Sequence, residues 1–184
     1  MSNIKERDEN KLPRPGSPMY NFHFAREDEK IKTLKRWKEL NKYFTIPLYK
    51  IGLLPLLGFG KVFLLLTTKG RISGKKRTTP VEYRKKDGVI VVASARGERS
   101  HWFQNMLANP EDVWIKKGFK KMPVRFEIIR DKNEILEFIK WYVRNYPRAA
   151  KMLFGWDPKK DTIEKVDFSD LVDVLKLIKV FPKA

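Results

Sequence analysis

The sequence contains no cysteine and only two histidines, His23 and His101, among its 184 residues. Without cysteine the chain has no disulfide, thiol nucleophile, iron–sulfur cluster or thiolate zinc site, which is compatible with a reducing cytoplasm. Two histidines are too few to predict a histidine-built metal centre. We therefore expect no metal site.

The chain also lacks a long uninterrupted apolar run. Its first twenty residues are polar, charged and punctuated by proline, which is not the pattern of a secretory signal. The most apolar region, residues 46–68, is interrupted by Lys50 and Lys61, and its uncharged stretches fall short of the roughly 20 residues that a membrane span needs. We predict a cytoplasmic location, with the inner face of the cell membrane as an alternative.

Acidic residues are few beside basic ones: 22 Asp and Glu stand against 40 Lys and Arg, for a net charge of +18. The excess is dense in residues 61–100, which hold eleven basic and three acidic residues. Three classes of anionic partner fit this charge: nucleic acid, an anionic membrane face and a polyanionic small ligand. Charge alone does not choose among them.

The residue pattern divides the chain into three parts. Residues 1–24 are predicted to form a flexible arm. Residues 25–60 combine a basic amphipathic helix, in which apolar residues recur every third position from Ile31 to Leu40, with an apolar segment rich in proline and glycine. The apolar stripe either packs on the protein's own core or lies on an anionic bilayer. Residues 61–184 are predicted to form the main domain.

Short apolar segments separated by turns predict strands from Val62 onward, and Asp87-Gly88 predicts a hairpin turn. A short helix capped by Ser100 and a longer helix that begins at Asp131 interrupt them. The end of the chain, residues 169–180, fits either a helix or a closing strand. The succession predicts a mainly β, α+β fold, with an antiparallel sheet curled into a small barrel and helices outside it. The predicted strands are residues 62–68, 79–85, 89–95, 112–116 and 122–130.

Residues 64–80, LLLTTKGRISGKKRTTP, join a buried-looking strand to a turn rich in glycine and positive charge. Hydroxyl groups, arginine forks and flexible backbone in one place suit the binding of a phosphate or a carboxylate. The spacing matches neither GxGxxG nor GxxxxGK[ST], so we expect another phosphate-binding scaffold. A solvated hairpin tip without a ligand is the alternative.

The joint occurrence of GRISGKKRTTP, ASARG, HWFQN and ANP within about residues 44–147 resembles the deazaflavin-dependent nitroreductase family, also described as deazaflavin-dependent quinone reductases. The resemblance implies a split β-barrel, FMN-binding-like, with flanking helices. It implies coenzyme F420, a deazaflavin with a phosphate and an oligoglutamate tail, and a homodimer, since split barrels of this type often pair.

By this resemblance, one set of residues wraps the phosphate and tail, and another lines the deazaflavin ring. Ile72 stands where the family often has lysine, so Lys75 or Lys76 takes over that phosphate contact. Trp102 and Asn105 close over the ring, although a core position for Trp102 and a structural hydrogen bond for Asn105 are alternatives. The phosphate and tail set is Arg71, Ser73, Gly74, Lys75, Arg77 and Arg96; the ring set is Thr79, Pro80, Val81, Ser94, Ala95, Gly97, Trp102 and Asn105.

Tyr146 matches a tyrosine that precedes proline in the family. The resemblance makes it the best candidate for a catalytic donor to charge that develops on the acceptor, and a tyrosine that merely ends a helix is the alternative. The tyrosines that follow in nitroimidazole-reducing members correspond here to Ala149 and Met152. The nitroreductase substrate pocket is therefore not carried over.

We expect an oxidoreductase that transfers a hydride from reduced coenzyme F420 to a lipophilic acceptor such as a quinone or nitro compound, while residues 30–60 contact an anionic membrane. One alternative is an FMN-binding split-barrel oxidoreductase. Two others are noncatalytic: a basic membrane-surface protein, and a nucleic-acid-binding module, for which the usual RNA- and DNA-binding signatures are missing.

Overall fold

The computed structural model describes residues 10–183. They form two compact units: the barrel unit, residues 34–129 and 176–183, and the helical unit, residues 10–33 and 130–175. The elements in chain order are α1 (Pro18–His23), α2 (Glu27–Leu40), a π-helical turn (Asn41–Thr45), α3 (Ile46–Lys50), α4 (Leu53–Leu56), a 3-10 turn (Phe59–Lys61), β1 (Phe63–Lys69), β2 (Lys76–Lys86), β3 (Val89–Ser94), a 3-10 turn (Gly97–Arg99), α5 (His101–Ala108), β4 (Val113–Lys117), β5 (Lys120–Ile129), α6 (Lys132–Asn145), α7 (Pro147–Phe154), α8 (Ser169–Val174) and β6 (Lys176–Pro182).

Six antiparallel strands close the barrel unit in the order β1-β2-β3-β6-β5-β4. The strands belong to two sheets, and both β2 and β5 begin in one sheet and end in the other. This arrangement is a split barrel. The predicted fold class, a mainly β barrel with flanking helices, is confirmed.

Alternate strand residues fill the barrel core, as the period of two in a strand requires. Leu64 and Leu66 of β1 lie in one buried cluster with Val81 and Tyr83 of β2. α5 adds Phe103 and Met106 to this cluster, and Trp102 packs against it with part of its ring exposed. The helix after β3 is therefore anchored in the barrel core.

Asp87 and Gly88 both have positive φ, 50° and 82°. A two-residue hairpin of type I′ requires positive φ at both positions, which Asp-Gly supplies at low cost. The predicted hairpin between β2 and β3 is confirmed.

The segment before β1 is held to the barrel by tyrosine hydroxyls rather than by its apolar stripe. The buried Tyr49 donates to the carbonyl of Phe63 at 2.9 Å and accepts from the amide of Gly118 at 2.9 Å. In α2 no residue is buried, and Trp37 and Leu40 are exposed. The interpretation that this stripe packs on the protein's own core is therefore wrong.

In the helical unit, α6 buries Ile135, Phe138, Ile139, Tyr142 and Val143, and it ends at Asn145 before Pro147. Asp131 caps its first turn by accepting from the amides of Asn133 and Glu134, at 2.6 and 3.2 Å. α7 follows at once, with Pro147 in its first turn. Proline fits that position because the first amides of a helix have no partner within the helix.

Residues 10–24 also belong to the helical unit, and they are packed. Leu12 and Met19 are buried, and the guanidinium of Arg14 donates to both carboxylate oxygens of Asp161 at 2.7 Å. The prediction of a loose arm is wrong for these residues, because their apolar side chains are buried and Arg14 is held by an ion pair. Residues 1–9 lie outside the described residues, and the predicted boundaries near residues 24 and 60 stay a prediction.

Candidate functional site

The first half of β2 is open along one edge. β2 pairs with β1 over residues 76–82 but with β3 only over residues 83–86. Within residues 10–183, the first half of β2 therefore has no strand partner on the β3 side. Pro80 lies there, and proline is tolerated at open strand edges because it has no N–H to pair. Continuing the β2–β3 register puts Ser94, the last residue of β3, opposite Val81 at the mouth of this gap.

The turn between β1 and β2 lies at the open end of the gap, and its own backbone shapes it. The amide of Gly70 donates to the carbonyl of Lys75 at 2.9 Å, and the amide of Gly74 donates back to the carbonyl of Gly70 at 2.8 Å. Gly74 has a φ of 64°, which favours glycine. A Cβ at Gly70 would lie 2.8 Å from the hydroxyl of Ser73. Both glycines are thus required by the turn itself.

Asn105 of α5 ties this turn to the barrel. Its Oδ1 accepts from the backbone amide of Arg71 at 3.1 Å and from the guanidinium Nη1 at 3.4 Å, and its Nδ2 donates to Thr68 Oγ1 at 3.4 Å. Asn105 is buried. The amide therefore fixes Arg71, a contact that the sequence did not predict. Direct contact between Asn105 and a coenzyme ring stays a prediction.

A second loop, between β3 and α5, is closed by serine hydroxyls. Ser94 Oγ donates to the carbonyl of Gly97 at 2.8 Å and lies 2.6 Å from Ser100 Oγ. Ser100 occupies the N-cap position of α5, but its side chain makes no capping bond. The predicted side-chain cap is therefore wrong, because its hydroxyl is engaged with Ser94. The two serines hold residues 95–99 in a compact loop.

Arg96 stands in this loop in an unfavourable electrostatic setting. Its side chain is partly buried and makes no ion pair with any residue in the described part of the chain. Burial lowers the pKa of Arg96, and the neighbouring charge of Arg99 lowers it further. An anion placed here would relieve both costs.

The predicted basic residues of the turn are accessible. Arg71, Lys75 and Arg77 are exposed, and none of them forms an ion pair within residues 10–183. Other cations of the barrel unit form ion pairs: Arg84 pairs with Glu82, and Lys69 Nζ lies 3.5 Å from Asp112 Oδ2. The turn thus carries positive charge that no carboxylate of residues 10–183 neutralises.

Strand alternation separates the predicted ring residues by face. Val81 lies in the barrel core opposite Leu64, so Thr79 faces the same side two residues earlier, and Pro80 faces the other side. Trp102 is half-buried against the core. Thr79, Val81 and Trp102 thus border the barrel interior. Pro80 faces the other side of the sheet, so only its backbone and the edge of its ring lie beside the gap.

Tyr146 belongs to the helical unit, whereas every predicted coenzyme residue belongs to the barrel unit. Its ring is half-buried and contacts Trp141 and Tyr142, with centroids 5.5 Å away in each case. A role in catalysis stays a prediction. Sequence reasoning missed the hydrogen bond of Thr68 with Asn105, 37 residues further along the chain, and predicted a helix cap for Ser100 instead of its contact with Ser94.

An open strand edge bordered by an arginine-bearing turn and a compact loop suits an anionic ligand. A family model described as F420H(2)-dependent quinone reductase matches residues 55–153, more than half of the chain. The chain belongs to this family. It is an oxidoreductase that uses coenzyme F420, as the motifs predicted.

Solved structures with similar folds include two reductases and a relative of another group. The chain is similar to an F420-H2-dependent reductase, at 24% identity over 65% of this chain and 94% of that chain, with a TM-score of 0.41. It is similar to an F420 reductase at 15% identity over 67% and 88%, with a TM-score of 0.40. It is also similar to a NimC/NimA family protein from Clostridium acetobutylicum at 17% identity over 72% and 82%, with a TM-score of 0.38.

The residues around the split fit the coenzyme. A phosphate and oligoglutamate tail need several cations and exposed donors, which the turn and Arg96 supply. The binding of the planar ring along β2 and against the half-buried Trp102 stays a prediction.

Proposed function

We propose that this protein transfers a hydride from reduced coenzyme F420 to a lipophilic acceptor, with a quinone as the favoured class and a nitro compound as the second. The observation that carries the proposal is the open first half of β2, bordered by the arginine-bearing turn and the loop of Arg96. When bound, the reduced deazaflavin supplies a hydride, which carries one proton and two electrons.

In this proposal the basic turn and the β3–α5 loop hold the anionic part of the coenzyme. Arg71 and Arg77 bind phosphate or tail carboxylates through their planar guanidinium groups, and Lys75 adds a point charge in place of the lysine that Ile72 replaces. Asn105 fixes the backbone and side chain of Arg71. Ser73 and Gly74 shape the turn. The amides of Gly70, Arg71, Gly74 and Lys75 already donate to groups of the protein, so the side chains of the turn supply the contacts to the anion.

The ring set then orients the reacting face. Thr79 and Val81 border one side along β2, with Pro80 between them, and Ser94, Ala95 and Gly97 border the other. Trp102 covers the ring and excludes water from the point of transfer. Fixing donor and acceptor in contact removes the translational entropy of the encounter, which is the main contribution expected from a protein whose cofactor carries the chemistry.

Reduction of a quinone to its hydroquinone takes one hydride and one proton. We assign the proton, or the hydrogen bond that stabilises the developing oxyanion, to the hydroxyl of Tyr146. Tyr146→Phe should lower kcat with reduced coenzyme and a naphthoquinone about tenfold and leave coenzyme affinity unchanged. Unchanged kcat would remove Tyr146 from the mechanism without affecting the coenzyme site.

The direct test of the function is the oxidation of reduced coenzyme by a naphthoquinone, followed by the return of deazaflavin absorbance. The proposal expects turnover with quinone, and weaker or no turnover with a nitroimidazole, because Ala149 and Met152 replace the tyrosines of the nitroreducing relatives. Absence of turnover with every quinone tried, in protein that binds the coenzyme, would contradict the quinone assignment. Tight binding of FMN in competition would instead favour the FMN alternative.

Peripheral contact with an anionic membrane through residues 30–60 is part of this proposal, since a lipophilic acceptor is concentrated there. Exposed Leu40, Phe44 and Ile51 support it. None of the helices in residues 10–183 is long and apolar enough to cross a membrane. The homodimer stays a prediction, which the molecular mass in solution would test.

A further inference from the structure

The β4–β5 turn has an unusual composition for an exposed hairpin. Residues 116–121 read KKGFKK, so that one phenylalanine stands between two pairs of lysines. Lys117 pairs with Lys120, which leaves Gly118 and Phe119 as a two-residue turn. Gly118 has a φ of 57°, at the position where a type II′ hairpin turn requires glycine. The Phe119 side chain is 66% exposed at the tip.

Phe119 is continuous with the apolar segment before β1. Its ring lies directly against Gly52: a Cβ at that position would be 2.8 Å from Phe119 Cε1. Gly52 joins α3 to α4, where Ile51, Leu56 and Leu57 are exposed by 74%, 75% and 64%. These side chains and Phe119 form one apolar surface, which we call the docking face.

The two parts of the docking face are joined by hydrogen bonds, and the face is basic. Tyr49 Oη bonds both to the carbonyl of Phe63 and to the amide of Gly118, so one side chain ties the helical segment to the β4–β5 turn. No acidic residue occurs from residue 40 to residue 81 or from residue 113 to residue 121. Lys116 Nζ donates to the carbonyl of Lys50 at 3.3 Å, which ties the two stretches together. The lysines that flank the apolar residues in the sequence are Lys42, Lys50, Lys61, Lys116, Lys117, Lys120 and Lys121.

The docking face lies at the opposite end of the strands from the coenzyme turn. β4 is antiparallel to β1, with Lys116 opposite Leu65, so the β4–β5 turn lies beyond Phe63 at the start of β1. The coenzyme turn follows Lys69 at the end of the same strand. Six residue steps of strand separate the two ends by about 20 Å.

We propose that the docking face binds an anionic lipid bilayer, with Phe119 and the apolar residues of α3 and α4 inserted at the interface and the lysines at the headgroups. A second copy of the chain is the other occupant to consider. A symmetric dimer through this face would bring two sets of lysines together with no acidic residue in these stretches to offset them. Charge complementarity therefore selects the bilayer.

Docking in this way gives the protein an orientation. The coenzyme turn points away from the bilayer and receives a water-borne anion, while the start of β1 and the end of β2 face the lipid. This deepens, and rests on, the proposed reduction of a lipophilic acceptor: the acceptor arrives from the lipid side and the coenzyme from the aqueous side.

The experiment is vesicle flotation of the full chain with phosphatidylcholine alone and with phosphatidylcholine containing phosphatidylglycerol. The wild type should float with the anionic vesicles at low salt and much less with neutral ones. Phe119→Ser should weaken binding about tenfold, because one large apolar group no longer enters the interface. Lys120→Glu with Lys121→Glu should weaken it at least as much, since each lysine near an anionic surface contributes about fivefold.

Ile72→Ser is the matched control, because Ile72 is 89% exposed at the tip of the opposite turn. It should leave flotation unchanged. Leu56→Ser, on a different element of the docking face, should also weaken binding and guards against misfolding of a single variant. Thermal melting of each variant establishes that it is folded.

Flotation that is unaffected by Phe119→Ser and Leu56→Ser in folded protein would overturn the proposal. So would equal losses from Ile72→Ser, or a wild-type dimer in solution that Phe119→Ser converts to a monomer, since a second copy would then cover this face. Coenzyme titration of the same variants separates the two proposals. Normal coenzyme affinity without vesicle binding contradicts only the docking, whereas normal vesicle binding without coenzyme affinity contradicts only the function.

Discussion

The β1–β2 turn and the β4–β5 turn are both short, exposed and strongly basic, yet their structures differ in ways that suit different ligands. The first is a six-residue loop, residues 70–75, that carries Arg71 and is followed by Arg77 in β2; its backbone is shaped by glycine, and a buried asparagine from α5 fixes it. The second is a two-residue hairpin that carries only lysines around one phenylalanine. Guanidinium forks on a shaped backbone suit phosphate and carboxylate, whereas point charges around an aromatic tip suit a bilayer interface. Positive charge alone does not assign a function. The type of cationic side chain and the shape of the backbone that carries it distinguish the two turns.

The largest expected effect is on coenzyme binding by Arg71 of the β1–β2 turn and Arg96 of the β3–α5 loop. Arg71→Ala combined with Arg96→Ala should weaken coenzyme binding a hundredfold or more, because each charge-assisted contact contributes about 1.5–3 kcal/mol. Fluorescence titration with the coenzyme measures it. Arg125→Ala is the control, since Arg125 is exposed and paired with Glu127. Vesicle flotation should be the same in all three proteins, and a parallel loss of flotation would show that the two turns do not act separately.

The ion pair between Arg14 and Asp161 in the helical unit is expected to affect the stability of the fold and not the binding of a ligand at either turn. Burial alone would raise the pKa of Asp161, but hydrogen bonds from Arg14 and the Asp157 amide outweigh it and hold the pKa below its usual value. The carboxylate therefore stabilises the fold above its unfolded pKa, and this contribution is lost as the pH falls through the folded pKa.

Asp161→Asn should accordingly lower the free energy of unfolding by about 2 kcal/mol near neutral pH, since the bonds to Arg14 lose their charge. The difference from wild type should vanish at acid pH. Denaturant unfolding at several pH values measures both. A pH-independent difference would show that the ion pair is not its cause, and coenzyme and vesicle binding at neutral pH serve as controls for the folded variant.

A smaller effect tests how the coenzyme turn is held. Asn105→Ala removes the acceptor for the Arg71 amide and guanidinium and should weaken coenzyme binding about tenfold. The affinity for the whole coenzyme should fall more than the affinity for the deazaflavin chromophore alone, because Arg71, which Asn105 positions, binds the anionic part. Asn109→Ala, which removes a bond to the Lys69 carbonyl at the same turn, is the matched control and should have a lesser effect.

The smallest effect concerns the other turn. Gly52→Ala places a Cβ against the Phe119 ring at a φ of +87°, so the ring must shift. Flotation should weaken a few-fold, and coenzyme titration should not change. Equal flotation in a folded variant would show that the position of Phe119 against α3 and α4 is unimportant.

The sequence predicted the elements that depend on local chemistry. The hairpin at Asp87-Gly88 follows from residues that tolerate positive φ, and α5 begins and ends where Ser100 and Asn109-Pro110 indicate. α7 was missed because Pro147 indicated only the end of one helix, although proline also starts the next. The tail, residues 169–180, is a helix followed by a strand, so both interpretations were partly right.

The features that define the candidate site depend on contacts distant in sequence. The first half of β2 has an open edge because β3 pairs with β2 only over residues 89–92, while residues 93 and 94 pair only with β6, a strand about eighty residues further along the chain. The link from Asn105 to Arg71 spans 34 residues. Motifs could name the residues of the turn, but only the register shows where the sheet splits.

The most direct test of the account is a fluorescence titration of the wild type with coenzyme F420 and with its deazaflavin chromophore lacking the phosphate and tail. The coenzyme should bind with micromolar or tighter affinity and the chromophore at least a hundredfold more weakly, and most of this difference should be lost in the Arg71→Ala, Arg96→Ala protein. Equal affinity for the two ligands, or a difference that persists in the variant, would contradict the claim that the arginine-bearing turn and loop hold the anionic tail.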